Sequence, residues 1–197
     1  MTRVALFGGS FNPPHAAHQL VALYVLETED VDELWFVPTF AHPFHKSLVP
    51  FEHRVAMCEL AIEPLGARVR VSRAEEELAA QPGFVASRSV ELVEMLRAQD
   101  ASRSFRFVVG ADILQETAKW HRWDDLVQLA PPIVVGRPGF PARRREERSE
   151  AGDDDGVVMP DISATRVREL LAAGDASVAS LVPHRVLRYI AGHGLYT

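Results

Sequence analysis

Two histidines three residues apart follow a pair of glycines near the start of the chain. His15 and His18 come after Gly8 and Gly9 in the run Gly-Gly-Ser-Phe-Asn-Pro-Pro-His-Ala-Ala-His. Adjacent glycines let the backbone approach a ligand closely, with N–H groups free to face an anion. Residues three apart share one face of a helix, so both imidazoles would lie near its positive end. The pattern predicts a phosphate site in which both histidines donate hydrogen bonds and stabilise developing charge.

The same two histidines have two alternative interpretations. A His-x-x-His pair could bind zinc if His42 or His45 supplied a third protein ligand. It could also have a purely structural role. The glycine-rich context favours phosphate chemistry, because zinc ligation does not account for the glycines. We therefore predict no metal ion bound by protein ligands alone.

A second polar segment near the end of the chain could also bind phosphate. It reads Ile-Ser-Ala-Thr-Arg-Val-Arg-Glu, with Ser163 as the predicted N-cap of a helix. Thr165 and Arg168 would then lie in the first turns of that helix. Hydroxyl groups, a guanidinium group and a helix N-terminus together form a compact anion site.

Two familiar phosphate-binding motifs are absent from the sequence. There is no Gly-x-x-x-x-Gly-Lys-Ser/Thr loop and no Gly-x-Gly-x-x-Gly fingerprint. Their absence disfavours a P-loop kinase and a dinucleotide-dependent dehydrogenase.

The composition limits the class of protein and its partners. The net charge of −6 over 197 residues disfavours a broad nucleic-acid surface, whereas a small anionic substrate needs only a local cationic cluster. Cys58 is the only cysteine, so an internal disulfide is excluded. No apolar run is long enough to cross a membrane. These features predict a cytoplasmic protein without a membrane partner, and they leave a homo-oligomer open.

Short apolar runs alternate with helical patterns along the chain. The runs predict strands at 4–7, 34–37, 69–71, 105–109 and 133–135. The helical patterns fall at 16–26, 54–62, 87–98, 112–117, 123–129, 165–173 and 178–191. Nearly all-apolar strands separated by helices predict an α/β fold with a doubly wound parallel sheet, in a single domain over residues 1–197. Gly8, Pro38 and Gly110 follow strands and should therefore lie along one edge of the sheet, where ligands bind.

A charged segment at 141–156 interrupts this alternation. Its mixed charges are typical of a solvated loop or a frayed helix. A phosphate-binding role for Arg143–Arg145 is the alternative interpretation.

Taken together, the two polar segments resemble the motifs of the nucleotidylyltransferase superfamily. Within it, the chain is similar to the bacterial nicotinate-nucleotide adenylyltransferases. Other stretches extend the resemblance over about the whole chain: Val37–Lys46, Gly110-Ala111-Asp112 with Trp120, Arg137-Pro138-Gly139 and Gly194-Leu195-Tyr196.

The resemblance implies a Rossmann-like fold with C-terminal helices and a direct displacement reaction. The 5′-phosphate of nicotinate mononucleotide would attack the α-phosphorus of ATP, and pyrophosphate would leave with the help of Mg²⁺. Alternative acceptors are nicotinamide mononucleotide, phosphopantetheine and an alcohol phosphate, the last with cytidylyl transfer. A nucleotide-binding module without turnover is the alternative from a different functional class.

The resemblance also implies roles for individual residues. The catalytic residues would be His15, His18 and Arg168. The ATP-binding residues would be Gly8, Gly9, Ser10, Phe11, His15, His18, Gly110, Asp112, Ser163, Thr165 and Arg168. The acceptor would contact His45, Lys46, Ser87, Trp120 and His121. Trp120 would stack on the pyridine ring, and a core aromatic is the alternative role for it.

The sequence departs from the family pattern at three places. Ala17 stands where the family usually has glycine, and Asn12 replaces the commoner aspartate. The family's Tyr-Thr-x-x-Thr motif is not recovered, although Phe84 and Ser87 or Ser89 lie in the corresponding stretch. The sequence therefore specifies the reaction more firmly than the acceptor.

Overall fold

The computed structural model describes residues 1–41, 48–139 and 157–197. Five strands form one parallel sheet in the order β3-β2-β1-β4-β5. The strands are β1 (Thr2–Gly9), β2 (Glu33–Pro38), β3 (Val69–Val71), β4 (Arg103–Gly110) and β5 (Pro132–Val135). The predicted parallel sheet is confirmed.

Helices connect the strands and close the chain. They are α1 (Ala16–Thr28), α2 (Phe51–Ile62), α3 (Ala74–Ala79), α4 (Ser89–Gln99), α5 (Trp123–Leu129), α6 (Ala164–Ala172) and α7 (His184–Gly192). Short 3-10 helices occur at Glu63–Leu65, Ala111–Gln115, Thr117–Lys119 and Ala176–Ser180. In the part of the chain that the structure describes, no helix is both long enough and apolar enough for a membrane span.

Apolar clusters cover both faces of the sheet because successive strand residues point to opposite sides. Val4 and Leu6 of β1 pack in one cluster with residues of α3 and α4. Ala5, between them, packs in a second cluster with residues of α1 and α2. Burial on both faces explains why the strands read as continuous apolar runs. The sheet is therefore doubly wound, as predicted.

A third apolar cluster joins the C-terminal helices to α2. We call it the C-terminal cluster, and its buried members are Met57, Ala61, Val167, Val182, Val186 and Ile190. Val167 lies on α6 and Ile190 on α7. This cluster fixes α6 and α7 against the helix that follows the β2 loop.

The strand order places a ligand cleft between β1 and β4. The order reverses there, since β1 pairs with β2 on one side and with β4 on the other. Gly9 is in register with Pro38, and Gly110 is in register with Val135. The three predicted loops thus begin at one edge of the sheet, at the position where doubly wound sheets bind ligands.

Three secondary-structure predictions were wrong in detail. The helix predicted at 178–191 is a 3-10 helix at Ala176–Ser180 followed by α7, because Pro183 stops the first and caps the second. The stretch predicted as a helix at 112–117 forms 3-10 turns. Helix α3 was not predicted, because its two buried apolar residues are separated by the acidic run Glu75–Glu77 and show no helical periodicity. The charged segment at 141–156 lies outside the described residues.

Candidate active site

His15 and His18 meet at the first turn of α1. His15 is the N-cap residue and His18 is the third residue of the helix. Their rings stack with centroids 3.7 Å apart. The backbone N–H of His15 donates to Nδ1 of His18 at 3.0 Å. The predicted juxtaposition of the two histidines at a helix start is what the structure shows.

The hydrogen bond at Nδ1 fixes the tautomer of His18. Nδ1 accepts a hydrogen bond, so a neutral ring must carry its proton on Nε2. Burial lowers the pKa of His18 well below its ordinary value, and repulsion between its protonated form and the neighbouring His15 and Arg137 lowers it further. Burial, with Arg137 as a smaller cause, lowers the pKa of His15 to about 4. Both imidazoles are neutral near pH 7, and His18 presents an N–H donor.

Phe11 supports the glycine loop from the core. Its side chain is 2% exposed and stacks on Phe36 at 5.0 Å. Its ring also contacts His18, with centroids 4.9 Å apart. A Cβ atom on Gly9 would come within 3.2 Å of the same ring. The Phe11 side chain is therefore buried in packing, and only its backbone is available for the ATP contact predicted from sequence.

The second polar segment folds as predicted and reaches the first. The Ser163 hydroxyl accepts from the backbone N–H of Arg166 at 3.2 Å and caps α6. The Arg168 guanidinium donates to the Thr165 hydroxyl at 3.2 Å and to the carbonyl oxygen of Asn12 at 2.9 Å. Segments 156 positions apart are thus joined directly.

Gly110 lies where the end of β4 approaches two charged side chains. A Cβ atom there would clash with Oδ1 of Asp112 and would come within 3.1 Å of Nε of Arg137. The Oδ1 atom is buried and has no hydrogen-bond partner among the described residues. Nε of Arg137 is 3.9 Å from the same oxygen. The Arg137 side chain lines the cleft, and the Asp112 oxygen lies buried beside it.

A small cleft lies between the two histidines and the end of β4. Polar groups of His15, His18, Gly110 and Arg137 line one part of it. The remainder is apolar, with Phe7, Ala17, Val21, Val108, Val109, Val135, Met159 and Pro160. We call the groups at the ends of β1 and β4 and the starts of α1 and α6 the ATP side.

The loops that contain Ser87, Trp120 and His121 form what we call the acceptor side. Ser87 is buried, and its hydroxyl accepts from the Ala41 N–H at 3.1 Å while its own N–H donates to the Ala41 carbonyl. The residue predicted to contact the acceptor directly therefore anchors the loop after β2. His121 is exposed, and its Nε2 is 3.5 Å from the Arg88 guanidinium.

Trp120 is partly a core residue and partly open to a ligand. It packs edge-on against Phe107 and Trp123, with centroid distances of 5.9 and 5.5 Å. It is half-buried at the margin of the cluster that also contacts Phe84. Both roles considered for Trp120 are therefore compatible with its position.

Three histidine and lysine predictions fall outside the described residues. His45 and Lys46, predicted to contact the acceptor, lie in the 42–47 segment, as does His42. Within the described ranges, no group of three or more histidine, cysteine or acidic residues is placed to hold a metal ion.

Sequence reasoning missed the role of Arg54. It is 1% exposed, and its guanidinium donates to the carbonyl oxygens of Ser10 and Val49 at 3.0 and 2.9 Å. It ties the glycine loop to the segment before α2. An arginine inside the apolar stretch Arg54–Ile62 was the available signal, since a buried guanidinium requires acceptors.

Glu75 and Arg137 were also not assigned to the site. Glu75 is 7% exposed, and burial raises its pKa to about 7 despite hydrogen bonds from Ser87 and the Phe40 backbone. Arg137 was noticed only as part of a motif, and no spacing argument placed it beside the histidines.

Comparisons with known proteins identify the family of this chain. The family model described as cytidylyltransferase-like matches residues 6–170. The chain is 48% identical over 193 residues to a probable nicotinate-nucleotide adenylyltransferase of Anaeromyxobacter sp. (strain K), covering 98% of this chain and 96% of that protein. It is 38% identical to the probable enzyme of Myxococcus xanthus, covering 98% and 94%.

Solved structures support the fold. Nicotinic acid mononucleotide adenylyltransferase of Plasmodium falciparum, complexed with NaAD, superposes with a TM-score of 0.76 at 18% identity and covers 100% of this chain and 98% of its own. That similarity concerns the fold. The family model and the relatives of 38% and 48% identity along nearly the whole chain show that it belongs to the nicotinate-nucleotide adenylyltransferases of the cytidylyltransferase-like family.

Proposed function

We infer that this protein transfers the adenylyl group of ATP to nicotinate mononucleotide, forming nicotinate adenine dinucleotide and pyrophosphate in NAD biosynthesis. The observation that carries the inference is the meeting of the His15–His18 pair with Arg168 around one glycine-rich loop. Relatives of up to 48% identity bear the name of this activity.

The reaction is a displacement at phosphorus without a covalent enzyme intermediate. An oxygen of the acceptor 5′-phosphate forms a bond to the α-phosphorus of ATP. The bond from that phosphorus to the α–β bridging oxygen breaks, and the electron pair leaves with pyrophosphate. The protein therefore contributes position and charge stabilisation, which need no nucleophilic side chain.

His18 is the group we place at the reacting phosphate. Its Nε2–H is fixed by the bond at Nδ1, so the donor is oriented before substrate arrives. A preoriented donor stabilises charge that grows on the α-phosphate oxygens without reorganisation during the step. His15, with a buried Nδ1 that has no partner among the described residues, supplies a second polar contact to the triphosphate.

We assign the triphosphate to the groups around the two helix starts. The backbone of Gly8, Gly9 and Ser10 and the N-terminus of α1 face it from one side. Ser163, Thr165 and Arg168 approach it from α6. A guanidinium group suits phosphate because it offers several donors in one plane. Arg137, 47% exposed at the cleft, adds a positive charge that sequence reasoning did not assign.

We place the adenosine sugar of ATP beside Gly110 and Asp112, at the end of β4. The unpartnered Asp112 oxygen beside Gly110 can accept a hydrogen bond from a ribose hydroxyl.

On the acceptor side we propose that Trp120 stacks on the pyridine ring and that backbone N–H groups near His121 receive its carboxylate. The Trp120 ring lies nearly perpendicular to those of Phe107 and Trp123 and is half-buried, so part of it stays open to a ligand. Contacts from His45 and Lys46 stay predictions from the family resemblance.

The donor set also fits a Mg²⁺ ion that arrives with the triphosphate. Mg²⁺ keeps water and phosphate oxygens as most of its ligands, so the site needs no cluster of protein carboxylates to hold it. When bound, the ion neutralises charge on the leaving pyrophosphate. Cytoplasmic location and a homo-oligomeric state stay predictions.

Pyrophosphate release from ATP tests the function directly. The purified protein is assayed with nicotinate mononucleotide, its amide, phosphopantetheine and an alcohol phosphate, each with and without Mg²⁺. We expect the nicotinate acceptor to be used most efficiently and only with Mg²⁺. Tight ATP binding without release with any acceptor would indicate a binding module, and a preference for another acceptor would reassign the substrate.

A further inference from the structure

Tyr196, near the end of the chain, reaches into the ATP side. Its hydroxyl donates to Oδ1 of Asn12 at 2.8 Å, across 184 positions in sequence. Its φ of +62° is uncommon for a residue other than glycine, so neighbouring contacts must hold this conformation. One of those contacts is with the glycine loop itself.

Asn12 is a junction of three chain segments. Its Oδ1 accepts from the Tyr196 hydroxyl and from the Val49 N–H, the latter at 3.2 Å. Its backbone carbonyl accepts from Arg168 at 2.9 Å. Asn12 is 3% exposed, so its orientation is set by these partners and not by water.

Two of the three partners of Asn12, Tyr196 and Arg168, belong to one packed unit. Tyr196 packs against the C-terminal cluster, which includes Val167, the neighbour of Arg168 on α6. The phenol and the guanidinium therefore approach Asn12 from the same rigid side. Burial raises the pKa of Tyr196 above its ordinary value, although Arg168 and Arg54 act in the opposite direction. The hydroxyl is a donor throughout the working pH range.

We propose that Tyr196 is a positioning residue for adenylyl transfer, because through Asn12 it sets the glycine loop and Arg168 for the ATP phosphates. The proposal depends on the function inferred above. Tyr196 needs no contact with the reacting atoms. Its effect passes through Asn12, whose side-chain amide oxygen is bonded to Tyr196 and whose backbone carbonyl is bonded to the guanidinium of Arg168.

Replacing Tyr196 by Phe removes only the hydroxyl and tests this role. We expect kcat to fall about three- to tenfold, the range of one net hydrogen bond, while the KM for ATP changes less than about twofold. The matched control is Tyr189→Phe, which removes a hydroxyl bonded to His53 at 2.9 Å on the same C-terminal unit. The control should keep full kcat.

A double-mutant cycle tests whether the effect passes through Asn12. We expect Asn12→Ala to lower kcat and the addition of Tyr196→Phe to lower it no further. Independent, additive losses would overturn the inference. It would also be overturned if Tyr196→Phe kept full kcat, lost no more than Tyr189→Phe, or failed to fold. Inactive wild-type protein would instead refute the proposed function, so the two failures are distinguishable.

Discussion

The ATP side and the acceptor side of the site are built in different ways. On the ATP side, His18, Asn12 and Arg168 are bonded through segments that begin regular helices or follow a buried strand. On the acceptor side, Ser87, Trp120 and His121 lie on loops between elements. The groups that we propose to meet the transition state are thus fixed by the fold. Groups that select a substrate are placed where loops can vary without disturbing the chemistry.

The largest effect should come from His18 on the ATP side. His18→Ala should lower kcat by a factor of about 10² to 10³ while ATP binding weakens much less, because the donor acts on charge that develops in the transition state. Single-turnover rates and ATP-analogue affinity measure the two quantities. His53→Ala removes a histidine that contacts Tyr189 outside the site and should keep near-normal turnover. Near-full activity of His18→Ala would refute its assignment.

Arg168 should have the next largest effect. Arg168→Lys should lower kcat/KM for ATP about tenfold to a hundredfold, since a point charge cannot replace a fork that also bonds Asn12 and Thr165. The matched control is Arg166→Lys on the same helix, where the exposed side chain pairs with Glu169. Equal losses in the two variants would show that the fork has no special role.

A smaller effect should separate the two pyridine acceptors. We expect kcat/KM for nicotinate mononucleotide to exceed that for its amide by about tenfold or more, which requires about 1.4 kcal/mol. Oriented N–H donors bind a carboxylate more strongly than an amide and oppose its NH₂ group. Trp120→Ala should damage both substrates, because they share the ring. Equal or better use of the amide would reject the acid preference and leave adenylyl transfer intact.

The smallest effect concerns stability, and its sign should differ between the two sides. The pKa of His15 is lowered to about 4, so this residue binds fewer protons in the folded protein than in the unfolded chain. The stability that His15 contributes therefore falls by about 1 kcal/mol as pH drops from 8 to 6. The pKa of Glu75 is raised to about 7, so its contribution is present at low pH and is lost as pH rises through 7.

Urea unfolding at pH 8 and pH 6 can separate these two contributions. His15→Asn, which keeps a good N-cap residue, should raise the free energy of unfolding at pH 6 relative to that at pH 8, compared with the wild type. Glu75→Gln should lower the free energy of unfolding at pH 6 relative to that at pH 8. If both variants shift the pH dependence in the same direction, the difference between the two sides is not electrostatic in origin.

The sequence predicted the local structure of the two main segments of the ATP side well, because the residues within each segment are close together in the chain. Gly8–His18 and Ser163–Arg168 each obey local rules for loops and helix starts, so their internal geometry followed from spacing. The family resemblance implied that both segments bind the ATP phosphates. Their contact at Asn12 was not predicted and could not be derived from spacing, since it spans 156 positions.

The acceptor side was predicted less well for a physical reason. Ser87 was expected to offer a hydroxyl to substrate, but its pairing with Ala41 depends on two loops 46 positions apart. The burial of Arg54 and Glu75 likewise results from tertiary packing. Periodicity described the long elements correctly and failed for α3 and the 178–191 stretch, where short helices and Pro183 interrupt the repeat.

The neutral imidazoles at the start of α1 have a consequence for what happens after the reaction. Because His15 and His18 carry no net charge near pH 7, the phosphate contacts that we propose for them would act through dipoles. Dipolar contacts lose strength quickly when the distance and angle of the transition state relax, whereas a fixed cation would retain the anionic product. The site can therefore stabilise a brief concentration of charge and still release pyrophosphate, and only its arginine contacts should weaken as salt is added.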